Sequence, residues 1–218
     1  MPNKLKELHS SKPRVFRTIL WCAVFVGLAG YAILVSLEKY PRSGSSAVNY
    51  SGEASIRSEF SLIDHTGKDV TQADFEDRWQ LVFFGFTNCP DVCPTTLAYM
   101  GSALDILGEQ ADQVAPIFVT VDPARDTVPI MAEYVSAFHP RLIGLTGSEE
   151  QVAQAAANFR TWYDRAEDDT APDGYYMAHQ GYMYLMRPGG KFEALYQERG
   201  QPPKELADEI AMRIAKGS

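Results

Sequence analysis

The chain has 218 residues, 45% of them hydrophobic and 22% charged, which suits one folded domain with an appendage and excludes a disordered or collagen-like chain. Of 20 Lys and Arg and 28 Asp and Glu, residues 1–42 hold 7 and 2, leaving 13 against 26 and a net charge near −13 for the remainder. So acidic a domain lacks the cations that neutralise phosphates, which excludes a nucleic-acid partner, and three cysteines are too few for a disulfide framework.

The first patterned segment, 18–37, reads TILWCAVFVGLAGYAILVSL without a charge. About 20 such residues cross a hydrocarbon core of roughly 30 Å as a helix, so an N-terminal transmembrane helix is expected over 18–37. Lys4, Lys6, Lys12, Arg14 and Arg17 precede it, and only Lys39 and Arg42 follow closely. That bias places a tail, 1–17, in the cytoplasm, and the rest of the chain on the periplasmic side of the inner membrane. A signal peptide cleaved near Ser45-Ser46-Ala47 is the alternative, although its apolar core normally runs only about 7–15 residues. Cys22 lies inside the apolar run and reads as a small apolar residue. Residues 38–55 are a linker, and its Ser- and Gly-rich stretch lacks any hydrophobic period.

The folded domain is expected over 56–218. Phe60 to Val70 gives two short strand-like pieces around an Asp-His-Thr-Gly turn, a hairpin pattern. Gln80 to Thr87 contains LVFFGF, a continuous apolar run typical of a strand buried on both faces. After a turn bearing Pro and Cys, Leu97, Met100, Leu104 and Leu107 fall at helical spacing, predicting a helix over 95–107. Ala115 to Val121 is a second buried strand, Pro129 to Phe138 a helix, and Glu149 to Phe159 another, with Gly147-Ser148 as its start signal. Gly181–Met186 and Lys191–Tyr196 form a hairpin around Arg187-Pro-Gly-Gly190, and a helix follows from Pro203 to Ala215. Strands alternating with helices and closing on a hairpin and a helix predict an α/β chain with a mixed sheet covered on both faces, an order that fits the thioredoxin-like fold.

Chemistry concentrates at Cys89-Pro-Asp-Val-Cys93, between the buried strand and the helix. In a first helical turn residues i and i+4 share a face, so both sulfurs can point at one position. Unpaired N–H groups and the helix dipole favour thiolate there. Two such thiols either form and break a disulfide or bind a soft metal. Redox thioredoxins space the pair by two residues; the three here favour a metal without excluding a redox pair of Cys89 and Cys93. A static bridge or two inert buried thiols would be the purely structural alternative, but a bridge closing so short a loop constrains little chain entropy. Of four histidines, His9 is cytoplasmic, His65 sits in a hairpin turn and His139 ends a helix, where an imidazole complements the dipole. His179, at the entrance to the late hairpin, is the best third donor. Met177, Met183 and Met186 read as core residues.

Three segments occur together in order: Gly85-Phe-Thr-Asn-Cys-Pro-Asp-Val-Cys-Pro94, Asp122-Pro-Ala-Arg-Asp-Thr127, and Tyr175-x-Met-x-His179 followed by Tyr184-Leu185. Together they resemble the Sco/SenC family, membrane-tethered copper proteins that assist cytochrome c oxidase assembly, and the likeness runs over about residues 56–215. The resemblance implies that Cys89, Cys93 and His179 are the copper ligands, with Cu(I) in a trigonal site or Cu(II) with a further donor. It also implies that Asp122 lies close to the site, although an ion pair of Asp122 with Arg125 that merely fixes the loop is an equal reading. Departures are small: Gly174 and Val128 stand where the family often has Asp and Pro, and Asp173 and Pro129 lie one position away. The function implied is a copper chaperone for the oxidase's copper-bearing subunit, in exchange with other copper chaperones or thiol reductants. A thiol-disulfide reductase acting on that subunit's copper-binding cysteines, and a redox sensor, stand as alternatives.

Overall fold

The computed structural model describes Gly27, Leu28, Tyr31 and residues 56–171, 173–198 and 200–217. The expected tail, linker and transmembrane helix lie outside the described residues, apart from Gly27, Leu28 and Tyr31, which are helical. Among the described residues no helix is long and apolar enough to cross a membrane. The chain divides into two units, Met1–Ser46 and Ala47–Ser218, and the second carries the chemistry.

The expected first hairpin is present. Strands β1 (Ser61–Asp64) and β2 (Asp69–Thr71) pair antiparallel. The Asp64 carboxylate organises their turn by accepting from the Thr66 N–H, the Thr66 hydroxyl and the Lys68 N–H, the local bonding that makes Asp a turn former. The apolar runs become β3 (Trp79–Gly85) and β4 (Val114–Thr120), buried at every position and paired in parallel with Phe83 opposite Phe118. Strands covered on both faces need no polar alternation, which is why they read as unbroken hydrophobic runs.

Helix α1 (Val92–Leu107) connects them and starts three residues before the expected Thr95, with Pro94 in the first turn, where a missing N–H costs nothing. It packs against α4 (Pro203–Gly217), which buries Leu206, Ala207, Ile210 and Ile214. Helix α2 (Val128–Ser136) carries Pro129 at its start. Helix α3 (Glu149–Phe159) has its expected bounds, set by a reciprocal cap in which the Gln151 N–H donates to the Ser148 hydroxyl and the Ser148 N–H to the Gln151 side chain.

Strand β5 (Ile143–Thr146) joins the main sheet beside β4, while β6 (Tyr163–Glu167) and β7 (Tyr175–His179) form a separate two-stranded ribbon. Neither β5 nor β6 was marked by the sequence pattern. The expected late hairpin is β8 (Met183–Met186) and β9 (Phe192–Tyr196). The main sheet runs β2-β1-β5-β4-β3-β8-β9; β3, β4 and β5 are parallel, and β1 and β8 flank them antiparallel. This is the mixed α/β sheet expected, with β3, its helix α1 and the β8–β9 hairpin in the thioredoxin-like order.

Candidate metal centre

The site grows from the end of β3. A Cβ on Gly85 would lie 2.6 Å from the Cys93 Sγ and 2.9 Å from the Phe118 ring, so only a residue without a side chain lets the first turn of α1 close over the strand. The chain then turns, and the Cys89 N–H donates to the Phe86 carbonyl. Pro90 disfavours helical backbone at Cys89, so Cys89 precedes the N-cap, Asp91, and only Cys93 lies in the helix. The two sulfurs therefore meet by a turn folding back onto a helix start, not as the i, i+4 pair on one helical face that the spacing predicts. The Cys93 N–H donates to the Cys89 Sγ at 3.5 Å.

His179 ends β7, opposite Tyr163. Its ring meets Phe83 and Phe86 edge-on, with centroids 5.9 and 5.7 Å away, so two core aromatics fix its plane. A proton on Nδ1 donates to the Gln180 carbonyl at 3.0 Å. Nε2 then keeps its lone pair, 3.3 Å from the Cys93 Sγ, the tautomer a metal-binding imidazole needs. One donor atom from each of Cys89, Cys93 and His179 lies within 4.8 Å of the other two. Both cysteines are free, Cys93 buried and Cys89 partly open.

The pair splits its acidities. A hydrogen bond from the Cys93 thiol holds the Cys89 pKa far below the ordinary thiol range, with further help from the N–H groups of Asp91 and Cys93, against the opposing effect of burial. Cys93 is pushed up by the same neighbouring sulfur and by its own burial. One thiolate forms readily; the second proton stays until positive charge or a bond replaces it.

The loop after β4 supports the site in a way the sequence did not reveal. Asp126, 1% exposed, accepts from the Thr87 N–H at 3.0 Å and from the hydroxyls of Thr87 and Thr120 at 2.5 Å. It thereby holds the turn that begins two residues before Cys89. Asp122 is not in the donor cluster. Its carboxylate is taken by the Arg125 guanidinium and by the Tyr175 hydroxyl at 2.9 Å, and Arg125 lies over the Tyr175 ring at 4.0 Å. Of the two readings of Asp122, the loop-fixing ion pair matches this geometry.

Two of the other histidines, His65 and His139, are structural. The His65 Nδ1 accepts from the Gly144 N–H at 3.2 Å, tying the β1–β2 turn to β5. His139 is buried, not on the surface; its Nδ1 accepts from the Arg141 N–H and its Nε2 faces Asp105. His9 lies outside the described residues. Met183 and Met186 are fully buried and Met177 packs against the core, as expected.

A thioredoxin-like fold with two thiols at the start of its first long helix and an imidazole facing them defines a class: thiol proteins able to grip a soft metal ion or close a disulfide. The particular family follows from comparison with known proteins. A family profile described as SCO1/SenC matches residues 48–215. The mitochondrial SCO2 homolog of Bos taurus is 37% identical over 202 residues, 91% of this chain and 75% of that protein. The crystal structure of Arabidopsis thaliana ScoI with copper bound superposes with a TM-score of 0.68 at 39% identity, covering 74% of this chain and 99% of the other. Copper-bound ScoI of Bradyrhizobium japonicum gives 0.67 at 36% identity, covering 72% and 98%. The chain belongs to the SCO1/SenC family.

Proposed function

We propose that this chain is a copper chaperone, anchored in the inner membrane by residues 18–37, with its domain of residues 56–218 on the periplasmic side. It holds one copper ion through Cys89, Cys93 and His179 and delivers it during assembly of the copper centre of cytochrome c oxidase. The observation that carries this reading is the convergence, within 4.8 Å, of two sulfurs and an imidazole nitrogen whose other nitrogen is tied to a carbonyl. Copper bound in relatives at 39% and 36% identity and membership in a family of oxidase assembly proteins support it. Two thiolates and an imidazole suit Cu(I), and the partly open Cys89 gives an incoming ligand a route to exchange without release of the ion into water.

The test is copper titration of the reduced full-length chain against a competing chelator. His179→Ala is expected to weaken binding at least about 100-fold, beyond the roughly 10- to 100-fold that loss of a hydrogen-bonding group behind a ligand costs. Equal affinity in the variant would remove His179 from the ligand set.

The thiol-disulfide reductase reading is favoured by one observation, the low pKa of the partly open Cys89 beside the buried Cys93. The Cys89 thiolate would attack a partner disulfide to give a mixed disulfide. Cys93 would then displace the partner as a dithiol and leave Cys89–Cys93 oxidised. Reduction of a disulfide substrate that survives His179→Ala but not loss of either cysteine supports this role.

A further inference from the structure

The ribbon that carries His179 has two unlike faces. Side chains alternate along a strand, and the register sets Tyr163 opposite His179, Arg165 opposite Met177 and Glu167 opposite Tyr175. Tyr175, Met177 and His179 thus share one face, which is turned to the domain: Tyr175 is buried and Met177 packs against the core. The other face holds Tyr176, Ala178, Asp164 and Ala166, all exposed. Trp162 continues it, pinned to Gln180 by two hydrogen bonds of 3.1 Å, from the Trp162 N–H to the Gln180 side chain and from the Gln180 N–H to the Trp162 carbonyl.

Trp162 is 53% and Tyr176 51% exposed. A tryptophan and a tyrosine left in water on the back of a ligand-bearing strand form an apolar patch of the kind that anchors a protein partner. Acids outnumber cations along this segment. Residues 162–176 contain Asp164, Glu167, Asp168, Asp169 and Asp173 against one cation, Arg165, which is engaged by Glu167 and the Tyr175 ring, while Asp173 is paired with Arg125 from outside the segment. Exposed aromatic rings among carboxylates suit Lys and Arg side chains, which can lie over the rings and pair with the acids. The same acids repel anionic lipid headgroups.

We infer that the outer face of the β6–β7 ribbon, centred on Trp162 and Tyr176, is the docking surface for a protein with Lys and Arg around an apolar patch, namely the protein that receives the copper. The identity of that occupant rests on the copper-delivery reading above. Tyr176 and Ala178 alternate with Met177 and His179 along one strand, so a partner seated there bears on the backbone of the imidazole donor.

The test follows copper from the reduced, Cu(I)-loaded full-length chain in detergent to the copper-free soluble domain of the oxidase's copper-bearing subunit. Trp162→Ala, Tyr176→Ala and Asp164→Lys are each expected to slow transfer at limiting concentration by at least about 10-fold while copper stoichiometry stays at the wild-type value. Trp162→Phe is expected to retain most of the rate, and the wild-type rate is expected to fall as salt is raised. Transfer by the alanine variants at the wild-type rate overturns the proposal. Association of the metal-free chain with the same domain is measured alongside by calorimetry. Wild-type association that weakens about 10-fold in Trp162→Ala upholds the surface even where no copper moves, a result that sinks the delivery reading alone; no wild-type association overturns the surface. Dissociation of a homodimer by Trp162→Ala, or quenching by bilayer-borne quenchers of the wild type but not of Trp162→Phe, would make a second copy or the bilayer the occupant and overturn it too.

Discussion

Asp126 shows how one side chain, far from Cys89 in sequence, holds the turn that carries it. It reaches Thr87 across 39 residues and fixes the turn before Cys89. Burial pushes its pKa above the ordinary 3.8, although the Thr120 and Thr87 hydrogen bonds pull the other way. The folded state therefore holds this proton more tightly than the unfolded chain. The stability contributed by the protonated group is fully present below pH 3.8 and is lost as pH rises through the higher folded value. In urea unfolding of the metal-free chain at a series of pH values, wild type should lose stability relative to Asp126→Asn as pH is raised above 3.8. A difference that does not change with pH would remove the burial argument. The motif containing Asp122, Arg125 and Asp126 was legible in the sequence, and the Asp122–Arg125 pair was one of its two readings, but the role of Asp126 was not. That Asp126 faces Thr87 depends on Thr120 lying at the end of a strand parallel to β3, a fact of pairing and not of spacing.

The elements most easily read are those whose apolar pattern is strong, β3, β4, α1 and α3; the ones missed are short or polar. Ile143–Thr146 is four residues long with a glycine inside, and Tyr163–Glu167 reads YDRAE because most of it faces water, so neither gives a strand period. His179 could thus be assigned to the site while the ribbon holding it went unseen. The junction of β3 with α1 carries its own test. Gly85→Ala puts a methyl group 2.6 Å from the Cys93 Sγ and 2.9 Å from the Phe118 ring, and both are buried in packed surroundings that cannot move cheaply. The variant should lose about 1–3 kcal/mol of stability, the usual cost of overpacking. It should also bind copper more weakly, because relief of the clash displaces Cys93 from Cys89 and His179. Chemical denaturation reads the first effect and chelator competition the second; wild-type values in both would mean that the helix start is looser than its packing implies.

At the scale of the molecule, the donors link distant parts of the chain: Cys93 and His179 are separated by 86 residues, one at the start of a core helix and the other on a ribbon outside the main sheet. An ion that binds all three groups binds only the folded arrangement, so its affinity adds to folding stability as RT ln(1 + [L]/Kd). At free copper 100-fold above Kd this is about 2.7 kcal/mol, and for a domain of this size each kcal/mol moves the melting temperature by about 2–4 °C, giving a rise of roughly 5–11 °C. Calorimetry of the reduced chain, with and without buffered Cu(I), should show that rise. In His179→Ala the ion is left with the Cys89–Cys93 turn, a local pair whose closure ties no distant element. At the same free copper concentration the shift should then fall to a small fraction of the wild-type value. Equal shifts in the two proteins would mean that the metal is held by the sulfurs alone and that the ribbon's imidazole stands near the ion without bearing on the fold.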